Sequence, residues 1–157
     1  MIVAPAFQLA SIELLRRDVW ASVSVDASLL HTTTTVEFLR ERADDSDGQF
    51  TLRLISTRVD AQPKVMWATS RTCPSVRDGV TRLKIIPMPK VVVPGEPEEI
   101  VLDGTEYRVQ LRARYGLEAG QPIDLRSNVG TLLADWVAGT FAVLKPCWST
   151  IRPKRLH

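Results

Sequence analysis

The sequence has little of the chemistry that most enzymes and metal proteins use. Its 157 residues include two histidines, two cysteines and 6% aromatic residues. The histidines, His31 and His157, are too far apart in the chain to form, with the cysteines, the short ligand spacings typical of zinc sites. We therefore expect no metal site and no cofactor, and we assign no catalytic residue.

Long apolar runs and a strong excess of one charge are also missing. No stretch approaches the roughly 20 consecutive apolar residues of a membrane-spanning helix, and the formal net charge is +2. Proteins that bind nucleic acid usually carry a larger basic excess with interleaved aromatic residues. The sequence therefore argues against a membrane span and against a nucleic-acid partner, although residues 145–157 are basic and contain no acid.

Familiar catalytic and binding signatures are absent as well. The sequence has no glycine-rich phosphate loop with its Lys-Ser/Thr pair, no G-x-S-x-G and no H-E-x-x-H. The acidic stretch 44–48 does not fit a calcium loop. With Gly48 in the invariant glycine position, the first and twelfth ligand positions would be Ala43 and Leu54, which have no side-chain oxygen. We interpret this stretch as a solvated hairpin tip.

The sequence does contain repeated alternation of apolar and polar residues, which is the pattern of half-buried strands. It predicts strands over residues 19–25, 33–42, 50–58 and 64–71. The second and third are separated by the Asp- and Gly-containing cluster 43–49, which predicts a β-hairpin.

Two segments have helical spacing instead. Pro74 suits the first position of a helix because no N–H is needed there. Its apolar stripe consists of Val76, Val80 and Leu83. Thr131 is the predicted N-cap of a second helix over residues 132–144, which Pro146 ends. The predicted inner face of this helix contains Leu133, Trp136, Val137, Phe141 and Leu144.

Residues 100–115 alternate around the pair Asp103–Gly104. Such a pair favours a two-residue type I′ turn, in which Leu102 pairs with Thr105 and Ile100 with Tyr107. The second strand then has one apolar face, made of Tyr107, Val109, Leu111 and Ala113. Ile123 and Leu125 indicate one more strand.

The predicted order is therefore β-β-β-β-α-β-β-β-α. Strands joined by hairpins, with two helices that cover an apolar sheet face, are typical of α+β proteins. We expect a mostly antiparallel sheet of about six or seven strands with two helices packed on one face. Residues 1–157 are expected to form a single domain, with residues 1–10 and 149–157 as candidate disordered tails.

The two cysteines lie at the ends of the predicted helices, Cys73 before the first and Cys147 after the second. They meet if the helices pack antiparallel, and a disulfide there would contribute on the order of 4 kcal/mol. Two reduced, unrelated thiols are the alternative. A reactive Cys73 at a helix N-terminus is a further alternative, but its spacing to Arg77 does not match the C-x5-R of phosphatases.

The polar face of the strand after Gly104 carries Arg108, Arg112 and Arg114, with Glu106 and Gln110 interspersed. Arg112 and Arg114 are one strand period apart, about 7 Å. Such a row is suited to binding an acidic protein through bidentate contacts. The alternative is an ordinary soluble strand face.

These observations favour a small non-enzymatic domain, exported or extracytoplasmic, that acts by binding a protein. Met1 would then have been added after removal of a signal peptide. Two alternatives stay open. One is a cytoplasmic enzyme that uses Cys73 or His31, the latter beside the hydroxyls of residues 32–35. The other is a cytoplasmic inhibitor or immunity-type binding protein.

Overall fold

The computed structural model describes residues 18–39, 48–95, 104–114, 116 and 120–154. They form a six-stranded antiparallel sheet and two α-helices, which confirms the predicted α+β class. The strands are β1 (Val19–Ala27), β2 (Thr32–Leu39), β3 (Thr51–Arg58), β4 (Ala61–Thr69), β5 (Thr105–Ala113) and β6 (Gln121–Asn128). The helices are α1 (Ser75–Arg82) and α2 (Leu132–Leu144), and short 3-10 helices occupy Ser28–Leu30, Leu83–Ile85 and Lys145–Cys147.

The strand order is β4-β3-β2-β1-β5-β6. The first four strands form a meander, because each is antiparallel to the strand that precedes it in the chain. After α1, β5 joins the free side of β1, and β6 extends the sheet beyond it. The N-terminal strand β1 therefore lies in the interior of the sheet.

One face of the sheet is apolar and carries both helices. In register across the three central strands, Val23 lies opposite Val36 on one side and Val109 on the other. All three side chains are fully buried, and they share one core with Val76 of α1 and Val137 of α2. The period-two alternation of the strands and the 3.6-residue period of the helices thus supply the two sides of the same core.

Helix α2 begins and ends where the sequence predicts. The Thr131 hydroxyl accepts a hydrogen bond from the Ala134 N–H at 3.2 Å, which is the expected N-cap. The chain leaves the helix at Leu144 and passes through a 3-10 turn that contains Pro146. Most of the predicted inner face is buried, but Phe141 is only partly buried.

The two helices approach each other closely at Gly79. A Cβ atom there would lie 2.9 Å from Cδ2 of the fully buried Leu144, so any other residue would force the Leu144 side chain to shift. Arg82 completes this contact, since it donates to the Thr140 hydroxyl at 2.9 Å and to the Trp136 carbonyl at 3.1 Å. Of the predicted α1 stripe, Val76 and Val80 are buried, whereas Leu83 lies in the 3-10 helix after α1 and is partly buried.

Cys73 and Cys147, 74 positions apart, form a disulfide in the structure with a Cα–Cα distance of 5.5 Å. The start of α1 lies against the end of α2, as the predicted antiparallel packing requires. The distance is within the usual range for a disulfide. The predicted cysteine pairing is therefore confirmed in geometry.

The predicted pairing of Tyr107 with Ile100 across an Asp103–Gly104 hairpin is wrong, whereas Leu102, the expected partner of Thr105, lies outside the described residues. Gly104 does not have the positive φ that a type I′ turn requires. Tyr107, the expected partner of Ile100, pairs with Val25 on one side and with Ser127 on the other. Both sides of β5 are thus occupied by distant strands, which the local pattern could not reveal.

Several predicted segments fall outside the described residues, namely the strand at 100–102, most of the turn at 43–49 and the tail at 1–10. At the other end of the chain, Ser149 pairs with Trp67 through backbone hydrogen bonds. The predicted tail therefore begins with a residue that is attached to the sheet.

Candidate functional site

The face of the sheet without helices carries the predicted binding residues. Pleating places every second residue of each strand on it, and the register aligns these residues in rows across the sheet. The row through the middle is polar over five strands and ends on an aromatic ring. It consists of Asp124, Gln110, Ser22, Glu37, Arg53 and Trp67. We call this surface the helix-free face.

Arg108, the first residue of the predicted row, is neutralised within the sheet. Its Nε and its terminal amino group donate to the two carboxylate oxygens of Asp124, at 2.9 and 2.7 Å. Arg126 donates to the same carboxylate at 3.1 Å. The hydrogen bond from Arg108, supported by Arg126, lowers the pKa of Asp124 despite its partial burial. Arg108 is therefore engaged by its neighbour rather than presented to solvent.

Arg112 and Arg114 differ from Arg108 in their surroundings. Both side chains are exposed, and the β6 residue opposite Arg112 is Pro122, which has no charge. Among the described residues, no carboxylate lies within ion-pair distance of either guanidinium. The structure thus divides the predicted row into one neutralised arginine and two whose charges are available.

The opposite end of the helix-free face combines charge with an aromatic ring. Glu37 and Arg53 lie directly opposite each other on β2 and β3 and form an ion pair. The Arg53 guanidinium is 5.7 Å from the centroid of the Trp67 ring, and the Arg152 guanidinium is 5.2 Å from it. The sequence analysis missed this cluster, since alternation places Trp67 on this face but does not connect it to Arg152.

The residues of the enzyme alternative are not brought together. His31 is exposed next to the start of β2, in a left-handed conformation with φ of 49°. Cys73 follows the end of β4, at the opposite end of the sheet, and its sulfur is in the disulfide. In the part of the chain that the structure describes, no hydrogen bond joins the His31 ring to a hydroxyl, and no three potential metal ligands cluster.

Comparison with protein-family models, curated proteins and solved structures found no match. In the same described ranges, no helix combines the length and apolar character needed to cross a membrane. Functional inference therefore depends on the geometry of the helix-free face itself.

Proposed function

We propose that this protein is a non-enzymatic binding module that recognises an acidic segment of another protein through Arg112 and Arg114. The observation that carries the proposal is the difference among the three arginines of one strand face. Arg108 has its carboxylate partner in Asp124, whereas Arg112 and Arg114 are exposed without an ion pair in the described residues. Carboxylates of a partner would bind Arg112 and Arg114 as Asp124 binds Arg108.

The spacing of the two arginines limits the kind of partner. Arg112 lies near the end of β5, and Arg114 directly follows its last residue, Ala113. Two residues of extended chain correspond to about 7 Å. An extended peptide presents every second side chain on one side at the same interval, so a segment with acidic residues at alternate positions matches them. Guanidinium groups bind carboxylates in a bidentate manner, which adds geometric specificity to the charge attraction. We therefore expect an acidic, extended segment as the ligand.

The disulfide supports the extracytoplasmic and non-enzymatic parts of the proposal. Structural disulfides persist in oxidising compartments and are rare in the cytosol. Cys73 chemistry would need a free thiolate, and the bond to Cys147 removes that thiolate in the oxidised protein. The alternative enzyme would require the cysteines to be reduced, which intact mass with an alkylating reagent tests directly.

The test uses a fluorescent peptide in which Glu alternates with Thr, and a matched peptide in which Gln replaces Glu. We expect the protein to bind the Glu peptide with an affinity that falls as salt rises, and Arg112→Glu with Arg114→Glu to weaken it about tenfold or more. Fluorescence anisotropy measures the affinity, and thermal unfolding should be unchanged by the double substitution.

The control variant is Arg77→Glu with Lys84→Glu, which makes the same change in net charge at two exposed residues in and directly after α1, on the other side of the sheet. If this control weakens binding as much as the arginine variant, the attraction is general and the proposed site is wrong. Equal affinity for the Glu and Gln peptides would contradict the recognition of carboxylates.

A further inference from the structure

The outer edge of β4 is the second surface that the structure points to. β4 pairs with β3 on one side. On the other side Trp67 exchanges two backbone hydrogen bonds with Ser149, Trp67 N–H to Ser149 O at 2.7 Å and Ser149 N–H to Trp67 O at 2.9 Å. The N–H and the carbonyl of Trp67 therefore both point away from the sheet, as in a hydrogen-bonded antiparallel pair.

The outward orientation of Trp67 determines which other β4 residues face the edge. Because backbone groups alternate along a regular strand, those of Val65 also point outward. Pro63 lies in the stretch where the β3–β4 register shifts, between the pairs Ser56–Lys64 and Arg58–Ala61. Proline has no N–H, so Pro63 blocks one end of the edge for strand pairing. Val65 is 39% exposed. The short stretch from Val65 to Trp67 is thus the part of this edge that is able to pair with another strand. Ser149 occupies the backbone groups of Trp67 but not those of Val65.

Residues 148–152, which we call the covering segment, contact Trp67 of β4 through the two hydrogen bonds of Ser149 and through Arg152. Trp148 packs against the core, and the Arg152 guanidinium lies 5.2 Å from the centroid of the Trp67 ring. The residue immediately before the segment is Cys147, whose disulfide partner Cys73 donates its backbone N–H to Thr69, the last residue of β4. The disulfide therefore ties the covering segment to the strand that it covers.

We propose that the β4 edge is a self-association surface that the covering segment blocks and the disulfide keeps blocked. Reduction by a dithiol releases the anchor at Cys147, and the covering segment leaves Trp67. The exposed edge then pairs with the same edge of a second copy. This surface is on the outer strand farthest from β6, so the inference is independent of binding at Arg112 and Arg114.

The redox step balances without any further reactant. The dithiol supplies two electrons and two protons, the Cys73–Cys147 bond breaks to give two thiols, and the reductant closes into its own disulfide. The dithiol-reduced protein has the same covalent backbone and differs from the oxidised protein in this bond.

A second copy fits the edge because the available residues are self-complementary. In an antiparallel pairing centred on Met66, Val65 of each copy lies opposite Trp67 of the other, and each such pair exchanges two hydrogen bonds. The arrangement is isologous, as two-fold dimers require. Pro63 has no N–H to donate, so the pairing does not extend past Val65 in that direction. An unprotected edge strand is the usual template for such pairing.

Light scattering after gel filtration measures the mass of the oxidised and the dithiol-treated protein. We expect a monomer when oxidised and about twice that mass when reduced. In hydrogen exchange, the Trp67 amide should exchange at least about tenfold faster in the reduced monomer fraction at high dilution. Val65→Pro removes an outward N–H without touching the disulfide, and it should keep the reduced protein monomeric.

A variant that keeps the disulfide distinguishes dimerisation through the β4 edge from other consequences of reduction. Ser149→Pro removes the N–H that bonds to Trp67 and should produce dimer in the oxidised protein, whereas Ser149→Ala keeps the N–H and should not. A reduced protein and an oxidised Ser149→Pro variant that both stay monomeric would overturn the proposal. A dimer that survives Val65→Pro would also overturn it, since another surface would then be responsible.

Discussion

The helix-covered and helix-free faces of the sheet are stabilised by different interactions. The covered face buries Phe38, Leu52 and Val109 completely, and complete burial contributes about 1.5–3 kcal/mol for each large side chain. The helix-free face instead carries charged pairs such as Arg108 and Asp124, for which typical surface contributions are about 0–1 kcal/mol. Most of the stabilisation is therefore expected from the helix-covered face, so charged residues on the helix-free face cost the fold little.

A second contrast lies within the helix-free face. On β5 and β6 the guanidinium of Arg108 is matched by a carboxylate, while on β3 and β4 the guanidinium of Arg53 is shared between a carboxylate and an aromatic ring. At the end of β5 the described residues offer Arg112 and Arg114 neither kind of partner. The candidate site is therefore identified by arginines that lack a carboxylate or aromatic neighbour among the described residues, and not by the number of arginines.

The strongest test of the first contrast is Phe38→Ala on the helix-covered face. Phe38 is fully buried and contacts Trp20 edge-on with ring centroids 5.6 Å apart, so the variant should lose about 3–5 kcal/mol of unfolding free energy. Urea denaturation measures the loss. Phe141→Ala is the control, and because Phe141 is only partly buried it should lose less. Equal losses would mean that α2 buries Phe141 more deeply than the structure shows.

Removal of the α2 cap should have an intermediate effect. Thr131→Ala deletes the oxygen that accepts from Ala134 and Ser127, so we expect a loss of about 1 kcal/mol. Thr131→Ser retains that oxygen and should be close to the parent protein in thermal unfolding. A Ser variant as unstable as the Ala variant would indicate that the methyl group, and not the cap, stabilises the helix.

The smallest effect is expected on the helix-free face, at Asp124. Its pKa is lowered in the folded protein, mainly by the Arg108 hydrogen bond. A lowered pKa means that the stabilisation is present above the unfolded-state value of about 3.9 and is lost as pH falls through the lower folded-state pKa. Asp124→Asn should therefore cost at most about 1 kcal/mol at pH 7, and the difference from the parent should disappear in acid.

Denaturation of both proteins across pH 2–7 checks this prediction, with Asp135→Asn on the exposed side of α2 as the control for a lost carboxylate. A difference that grows as pH falls would have the wrong sign for an ion-paired carboxylate. A loss of several kcal/mol at neutral pH would show that the helix-free face carries more of the stability than the comparison of the two faces implies.

Features that depend on neighbouring residues were predictable from the sequence. Thr131 and Pro146 determine the limits of α2 because a hydroxyl cap and a missing N–H act within one helical turn. The alternation around Val109 determines which side chains face the core, since the side-chain period of a strand is two in any register. The cysteine pairing was accessible because both cysteines lie at helix ends whose packing was itself predicted.

The predicted Ile100–Tyr107 pairing was wrong because it was inferred from a local turn signal. The strands that pair with Tyr107 instead, β1 and β6, are not its neighbours across that turn. The described structure pairs Tyr107 with Val25 and Ser127, and their ladders extend along almost the whole of β5. A turn preference acts over about four residues, whereas these ladders and their buried side chains involve nearly all of β5, so tertiary pairing prevails. The same reasoning explains why Trp67 and Ser149 could not be connected from sequence.

Four properties follow from local sequence alone, namely the α+β class, the limits of α2, the two faces of each strand and the position of the cysteines at helix ends. These properties depend on the side-chain period and on capping groups, which act over a few residues. Three other features required the tertiary structure. The strand β1 is interior, Asp124 neutralises Arg108 but not Arg112 or Arg114, and Ser149 covers Trp67. Partners across a sheet are chosen by strand order and register, and these follow from the free energy of the whole core rather than from any local pattern.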